Sequence, residues 1–391
     1  MPPSTRSAVP PFAVMDVLDA VERRRDAGLP VFSLCAGEPG GGAPTDVRER
    51  AAALLTGGAP LGYTPALGLP VLRRALAGHY RRWYDLDVDP ERVGVATGSS
   101  GAFVLAFLAA FEAGDRVALA RPGYPAYRNI LRALGCEVVE LPCGAGERYQ
   151  PTPERLDEAV RDGGPLAGLV LASPANPTGT MVSADELAAV AGWCREHGTR
   201  LVSDEIYHGV VAGTRAQSCA LRHDDTAIVV SSFSKYWGMT GWRLGWALLP
   251  DELVGPVDAL AGNLALCPPT LAQHAAVEAF TERSYAEAEA AATRYRAHRE
   301  LLLQRLPALG WGTSAPADGA FYLYADVGER IRAGGDRDAV AWCRRLLDDT
   351  GVALTPGADF DAIDGTQWVR LSYATDTPTL EAGLERLAAW T

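Results

Sequence analysis

The chain has 391 residues, 48% of them hydrophobic and 21% charged, with a formal net charge of −12. That length exceeds one small core and suggests a large domain plus a smaller one, while the acidic balance argues against a nucleic-acid surface. No apolar run approaches the roughly 18–20 residues that span a bilayer; the seven cysteines lack a C-x-x-C pair and the six histidines lack ligand spacing, so reduced buried thiols, no metal and a cytoplasmic setting are expected.

The first stretch, 1–44, begins MPPSTRSAVPPFAVMDVLDAVERRR, which turns charged early and has no signal-peptide core. It is assigned to the smaller domain. Short apolar runs then alternate with helix-like segments. RVALA (116–120), CEVVEL (136–141), LAGLVLA (166–172), RLVSDE (200–205), AIVVSS (227–232) and LGWALL (244–249) are rich in Val, Leu and Ile. Their lack of alternation predicts parallel strands covered on both faces. Between them GAFVLAFLAAFEAG (101–114), YPAYRNILRALG (124–135) and SADELAAVAGWCREHG (183–198) read as helices, the last opened by a Ser183/Glu186 capping box. The alternation predicts an α/β fold with a mainly parallel sheet in a large domain over 45–265. From 266 to 391 the texture changes: 271–310 reads as nearly continuous helix ended by Gly310. GAFYLYADV (319–327) and QWVRLSYA (367–374) then alternate like strands of a smaller α+β domain.

In an open α/β sheet, ligands bind beyond the carboxyl ends of the strands, and polar residues collect there. RLVSDEIYHG ends a strand in Ser203, Asp204 and Glu205, followed by Tyr207; VLASPANPTG ends one in a turn with Asn176. AIVVSSFSK ends in Ser231, Ser232, Ser234 and Lys235, and VATGSSGAFVL places Gly98, Ser99, Ser100 and Gly101 where a loop enters a helix. Free N–H groups and small hydroxyls at such a helix start suit a phosphate, although the same loop alone is also an ordinary turn. Lys235 is the only lysine; the other 35 of the 36 basic residues are arginines. Drift toward arginine accounts for the missing lysines. It does not explain the survivor, which follows SFS at the end of an apolar run.

In this order the motifs GEP (37–39), GYTPALGLPVLRRAL (62–76), TGSSGA (97–102), ARPGYPAY, SPANPTG, SDEIY, SFSKYWGMTGWRLGW and VRLSYA (369–374) resemble the class I/II aminotransferases of fold type I, which depend on pyridoxal 5′-phosphate. The resemblance implies a large domain with a seven-stranded sheet between helices. It also implies that Lys235 forms the aldimine with the cofactor and later moves a proton between Cα and C4′. Asp204 would pair with the pyridine nitrogen, Asn176 and Tyr207 would bond the ring oxygen, and Tyr124 would stack on the ring. Ser99, Ser100, Gly101, Ser232, Ser234 and Arg243 would hold the phosphate, with Ser99, Ser100 and Ser234 alternatively capping or supporting. Tyr63 would reach the phosphate of the second subunit of a homodimer. Arg370 would grip the substrate carboxylate, with Gly37 closing over it. His208 reads as a packing or surface residue.

The resemblance also bears on substrate. Family members specific for aspartate hold the distal carboxylate with a lysine and two hydroxyls, at positions that fall here on Ser100, Phe12 and Val14. Phe12 and Val14 offer no partner for a carboxylate whose desolvation is costly, so a neutral, apolar or aromatic amino acid and a 2-oxo acid are expected. The same scaffold resembles eliminating, replacing or cyclising enzymes, some acting on S-adenosylmethionine, and the three glycines after GEP leave room for an unusual substrate. A ligand-binding regulator module is the non-enzyme alternative; it would carry a basic helix-turn-helix domain, which this sequence lacks.

Overall fold

The computed structural model describes residues 2–212 and 215–390. After a two-residue strand, β1 (Phe32–Ser33), come β2 (Val93–Ala96), β3 (Arg116–Arg121), β4 (Glu137–Pro142), β5 (Gly168–Ala172), β6 (Arg200–Asp204), β7 (Ile228–Ser232) and β8 (Gly245–Leu248). These last seven form one sheet in the order β2-β8-β7-β6-β5-β3-β4. The six apolar runs read from the sequence are β3 to β8; the short VGVA of β2 was not singled out. β8 runs antiparallel to both β7 and β2, whereas the remaining pairs are parallel. An apolar run reads alike in either direction. Parallel neighbours usually need a crossover helix; β7 and β8 are joined without an α-helix, so the chain turns back on itself there.

Successive residues of one strand are buried on opposite faces. Val117, Leu119, Val170, Val202 and Val230 pack with Phe103, Phe107 and Leu131 in one core. Ala118, Leu169, Leu171, Leu201 and Val229 pack with Leu156, Leu187 and Val190 in another. Both faces are therefore covered by helices, as apolar runs without alternation require. The helix Ala184–His197 starts with the reciprocal box: Ser183 N donates to Glu186 Oε2 at 2.6 Å, and Glu186 N to Ser183 Oγ at 3.2 Å.

A second group of strands lies late in the chain. β9 (Tyr322–Asp326), β11 (Thr355–Pro356) and β12 (Trp368–Ser372) form an antiparallel sheet in the order β11-β12-β9, while β10 (Val352–Ala353) pairs in parallel with β1. The expected continuous helix over 271–310 is instead broken. Thr270–Ala276 gives way to a 3-10 turn, Val277–Phe280, before Glu282–Arg305 begins. Thr281 starts the new helix by accepting a hydrogen bond from Ser284 N at 3.2 Å, an N-cap signal without glycine or proline. Gly310 closes the segment in the left-handed conformation, φ 62°. Among the described residues no helix is long and apolar enough to cross a membrane, and all seven cysteines are free, six of them buried.

Candidate active site

Parallel strands bring their carboxyl ends to one edge of the sheet. Asp204 ends β6 and sits opposite Val230 of β7, whose last residue, Ser232, lies opposite Gly245 of β8. Gly245 in turn faces Ala96, the end of β2, two residues before the helix Gly98–Ala110. Asp204, Ser232, Lys235, Arg243 and the Gly98 helix start thus gather from sheet topology alone.

Lys235 follows β7 by three residues, and its Nζ donates to the Gly37 carbonyl at 2.7 Å. Loss of hydration, together with the nearby Arg370 cation, pushes its amine down to about 8, although Glu38 and Asp204 pull the other way. Asp204 is buried; its Oδ2 accepts from the Tyr127 hydroxyl and its Oδ1 from Ile206 N at 3.0 Å. Burial raises its carboxyl to about 6 despite those hydrogen bonds and the Lys235 charge. Among the described residues such a carboxylate has no salt-bridge partner within 4 Å, so it favours a cation placed against it.

Tyr207 is also buried, and its hydroxyl lies 2.8 Å from that of Tyr322. Burial raises the pKa of both phenols, so both stay protonated. Asn176 and Arg370 meet directly, Nη1 donating to Oδ1 at 2.8 Å. The other guanidinium arm donates to the Cys35 carbonyl at 2.8 Å and to Thr355 Oγ1 at 3.3 Å. The group lies 4.4 Å from the Tyr322 ring centroid and 4.8 Å from that of Phe360. Arg370 Nε is buried without a hydrogen-bond partner among the described residues, so a buried cation retains a free donor, the feature that recruits a carboxylate.

At the other end of the cluster the helix Gly98–Ala110 starts with no side-chain cap. Gly98 adopts φ +68°, and a Cβ there would sit 2.5 Å from Arg243 Nη2. A Cβ on Gly245 would meet Gly98 C and Ser99 N, each at 2.6 Å. The close approach of strand start and helix start therefore requires glycine at 245, while the positive φ favours glycine at 98. Gly101 N already donates to Thr97 O at 3.3 Å; the free amides of the first turn lie just before it, at Ser99 and Ser100. Ser232 Oγ accepts from Ser234 N at 3.0 Å, and both serines are buried, while Arg243 is exposed. The phosphate-type residues thus lie together; the Gly101 amide, the Ser234 amide and Arg243 Nη1, which donates to Thr240 O at 2.8 Å, are already committed to protein acceptors.

Tyr124 and Phe12 form the far wall. Their rings are nearly parallel, 9° apart, with centroids separated by 6.3 Å. Phe12 immediately precedes the helix Ala13–Asp26, whose Ala13 and Val14 amides donate to the Asp359 carboxylate at 2.6 and 2.9 Å. Tyr63 stands apart, 84% exposed. His208 is buried against Tyr84, its Nδ1 2.6 Å from the phenol oxygen.

A model of the family described as aminotransferase class I and II matches residues 30–387. The chain belongs to the class I and II aminotransferases. This aminotransferase is 52% identical over 387 residues to a valine–pyruvate aminotransferase of Mycobacterium tuberculosis, the match covering 98% of this chain and 97% of that one. It is 37% identical to an aspartate/prephenate aminotransferase of Thermus thermophilus, over 97% and 96% of the two chains. The crystal structure of an aminotransferase from Mycobacterium tuberculosis superposes with a TM-score of 0.95 at 51% identity, covering 100% and 99%.

Several residues of the candidate site escaped sequence reasoning. Tyr127 lies three positions after Tyr124 in a helix-like segment, a spacing that puts both on one face. Tyr322, Phe360 and Asp359 carry no local signal; each reaches the site from a distant part of the chain.

Proposed function

We propose that this aminotransferase uses pyridoxal 5′-phosphate to move the amino group between a neutral, apolar or aromatic amino acid and a 2-oxo acid. The observation that carries the reading is the single primary side-chain amine, Lys235, lowered to about 8 and enclosed by Gly37, Asp204 and Arg370. The residues fit the group. A buried carboxylate at Asp204 suits a protonated ring nitrogen, and the glycine-lined helix start beside Arg243 suits a phosphate. Ser99, Ser100, Gly101, Ser232, Ser234 and Arg243 would hold the phosphate, and Tyr124 would cover one ring face. Asn176 accepts from Arg370 through Oδ1, which leaves its amide N–H groups, with the Tyr207 hydroxyl, for the ring oxygen. Bound to Lys235, the cofactor would supply an electron sink for the pair left behind when Cα loses its proton.

The protein's own groups do the rest. Arg370 holds the α-carboxylate with its free Nε donor and orients the Cα–H bond toward Lys235, while Gly37 covers that carboxylate. Once released from its linkage, the Lys235 amine takes the Cα proton, and its low proton affinity suits it to give the proton back. Phe12 forms an apolar side-chain wall. The 52%-identical relative is named for valine and pyruvate, in keeping with that wall; the 37%-identical one is named for aspartate and prephenate. We further infer a cytoplasmic homodimer in which the exposed Tyr63 reaches the phosphate of the neighbouring copy.

The test mixes the cofactor-loaded enzyme with single amino acids and no acceptor. Valine and other neutral amino acids should bleach the visible band and leave aminated cofactor plus the 2-oxo acid. Ammonia release would mean elimination instead, and faster bleaching by aspartate would overturn the substrate assignment.

A further inference from the structure

We propose that Tyr322 is a positioning residue for the cofactor's ring oxygen, acting through Tyr207. The inference rests on the cofactor reading above and on a count of protons. A phenol has one O–H to donate. If Tyr207 donates to the ring oxygen, its 2.8 Å contact with Tyr322 has Tyr322 as donor. Tyr207 then accepts one hydrogen bond and donates another, and such chains strengthen the terminal bond.

Tyr322 is held in place on three sides. Its side chain is 1% exposed, and the Arg370 guanidinium lies 4.4 Å from its ring centroid. A Cβ on Gly37 would overlap its hydroxyl, so the glycine in GEP makes room for that oxygen. The Gly37 carbonyl receives Lys235 Nζ at 2.7 Å. One phenol therefore touches the segment that binds the lysine, stacks on the arginine meant for the substrate carboxylate, and bonds the tyrosine meant for the cofactor. Pairing Ser372 with Tyr322 at the end of the β9–β12 ladder places it there, two residues past Arg370 on the facing strand.

The consequence is spectroscopic. A donor aimed at the ring oxygen stabilises the form in which the neighbouring nitrogen has lost its proton, so it lowers the pKa read from the visible band of the loaded enzyme. Tyr322→Phe keeps the ring and its stacking but removes the donor. It should raise that pKa by about 0.5–1 unit, the scale of one neutral hydrogen bond. Tyr207→Phe should raise it further. Adding Tyr322→Phe to Tyr207→Phe should then change it little, because the path runs through Tyr207. Gly37→Ala should disturb the band in the wild type and less so beside Tyr322→Phe. Full-length variants are loaded with pyridoxal 5′-phosphate and titrated by absorbance. Equal shifts from Tyr322→Phe in the wild-type and Tyr207→Phe backgrounds, or no shift in either, would overturn the relay while leaving the cofactor reading intact. A wild type that never develops a visible band would overturn both.

Discussion

Lys235 Nζ and the carbonyl of Gly37 are 2.7 Å apart although 198 residues separate them in sequence. The amine is held by a neutral acceptor, with a cation, Arg370, nearby, and it is largely removed from water; both the loss of hydration and that charge work against protonation. An amine at about 8 holds on the order of a hundredfold more of its neutral form at pH 8 than an ordinary lysine. The sign is fixed: a lowered pKa releases the proton at lower pH. Amine-selective labelling of the apoprotein, read on the peptide containing Lys235, should rise through an inflection near pH 8 and level off above it. Arg370→Met removes the second cause of the shift and should move the inflection upward. An inflection left near 10 in the wild type would contradict the burial argument.

The glycine at the start of β8 has a sharper role than a turn. A side chain at Gly245 would press on the Gly98 and Ser99 backbone at 2.6 Å and on the Ser231 carbonyl at 2.8 Å. Gly245→Ala should therefore separate strand and helix starts where the phosphate donors converge. We expect cofactor affinity to fall at least about tenfold, the effect of roughly 1.4 kcal/mol, with the circular dichroism of the fold preserved. Titration of the apoprotein with pyridoxal 5′-phosphate measures it; unchanged affinity would place the phosphate elsewhere.

Asp359 ties the N-terminal helix to the site. Its two carboxylate oxygens accept from Ala13 N and Val14 N at 2.6 and 2.9 Å, and the next residue, Phe360, stacks on Arg370. Phe12, adjacent to that helix start, faces Tyr124. Losing a helix cap costs about 1–2 kcal/mol, so Asp359→Ala should release Phe12. The KM for a neutral amino acid should then rise about 5- to 30-fold, with kcat and the visible band less affected. Asp359→Asn, which retains one acceptor, should recover part of the loss. A drop in kcat at constant KM would assign Asp359 a different role.

Legibility in the sequence followed locality. Asp204, Ser232 and Lys235 stand at the ends of apolar runs, and the end of a parallel strand is where a sheet delivers side chains, so their convergence could be read before any fold was known. Lys235 stood out further because nothing else in the chain offers the same amine. Asp359 and Tyr322 could not be read that way. Asp359 acts on amides 346 and 345 residues away, and Tyr322 reaches Tyr207 across 115 residues; neither contact leaves a period or spacing. The reversed direction of β8 was hidden for another reason, since Val, Leu and Trp bury equally well in parallel and antiparallel strands. The helix break at Thr281 was missed because a threonine cap marks a start without interrupting helix propensity.

Glu205 and His208 form a buried pair beside the site, with opposite proton demands. Glu205 is 2% exposed; its Oε1 accepts from Ser203 Oγ at 3.1 Å and Ala220 N at 2.7 Å. Among the described residues its Oε2 has no hydrogen-bond partner, and it lies 3.4 Å from His208 Nδ1. Burial pushes the carboxyl up to about 7 and the imidazole down to about 3, so both are neutral in mildly acidic solution. A carboxyl raised above its unfolded value, about 4.3, stabilises the fold fully below that value and loses the contribution as pH rises through about 7. His208, lowered, has the opposite slope: its contribution is present above about 6.5 and is lost as pH falls toward about 3. The two slopes oppose each other in the wild type over their common range. Glu205→Gln removes only the first. Its stability relative to the wild type should therefore grow between about pH 4.3 and 7, by up to about 1.4 kcal/mol per pH unit, and level off above. Melting temperatures of the two proteins across pH 4.5–8.5 read this directly, and a gap that does not change with pH would show that Glu205 is already ionised in the fold.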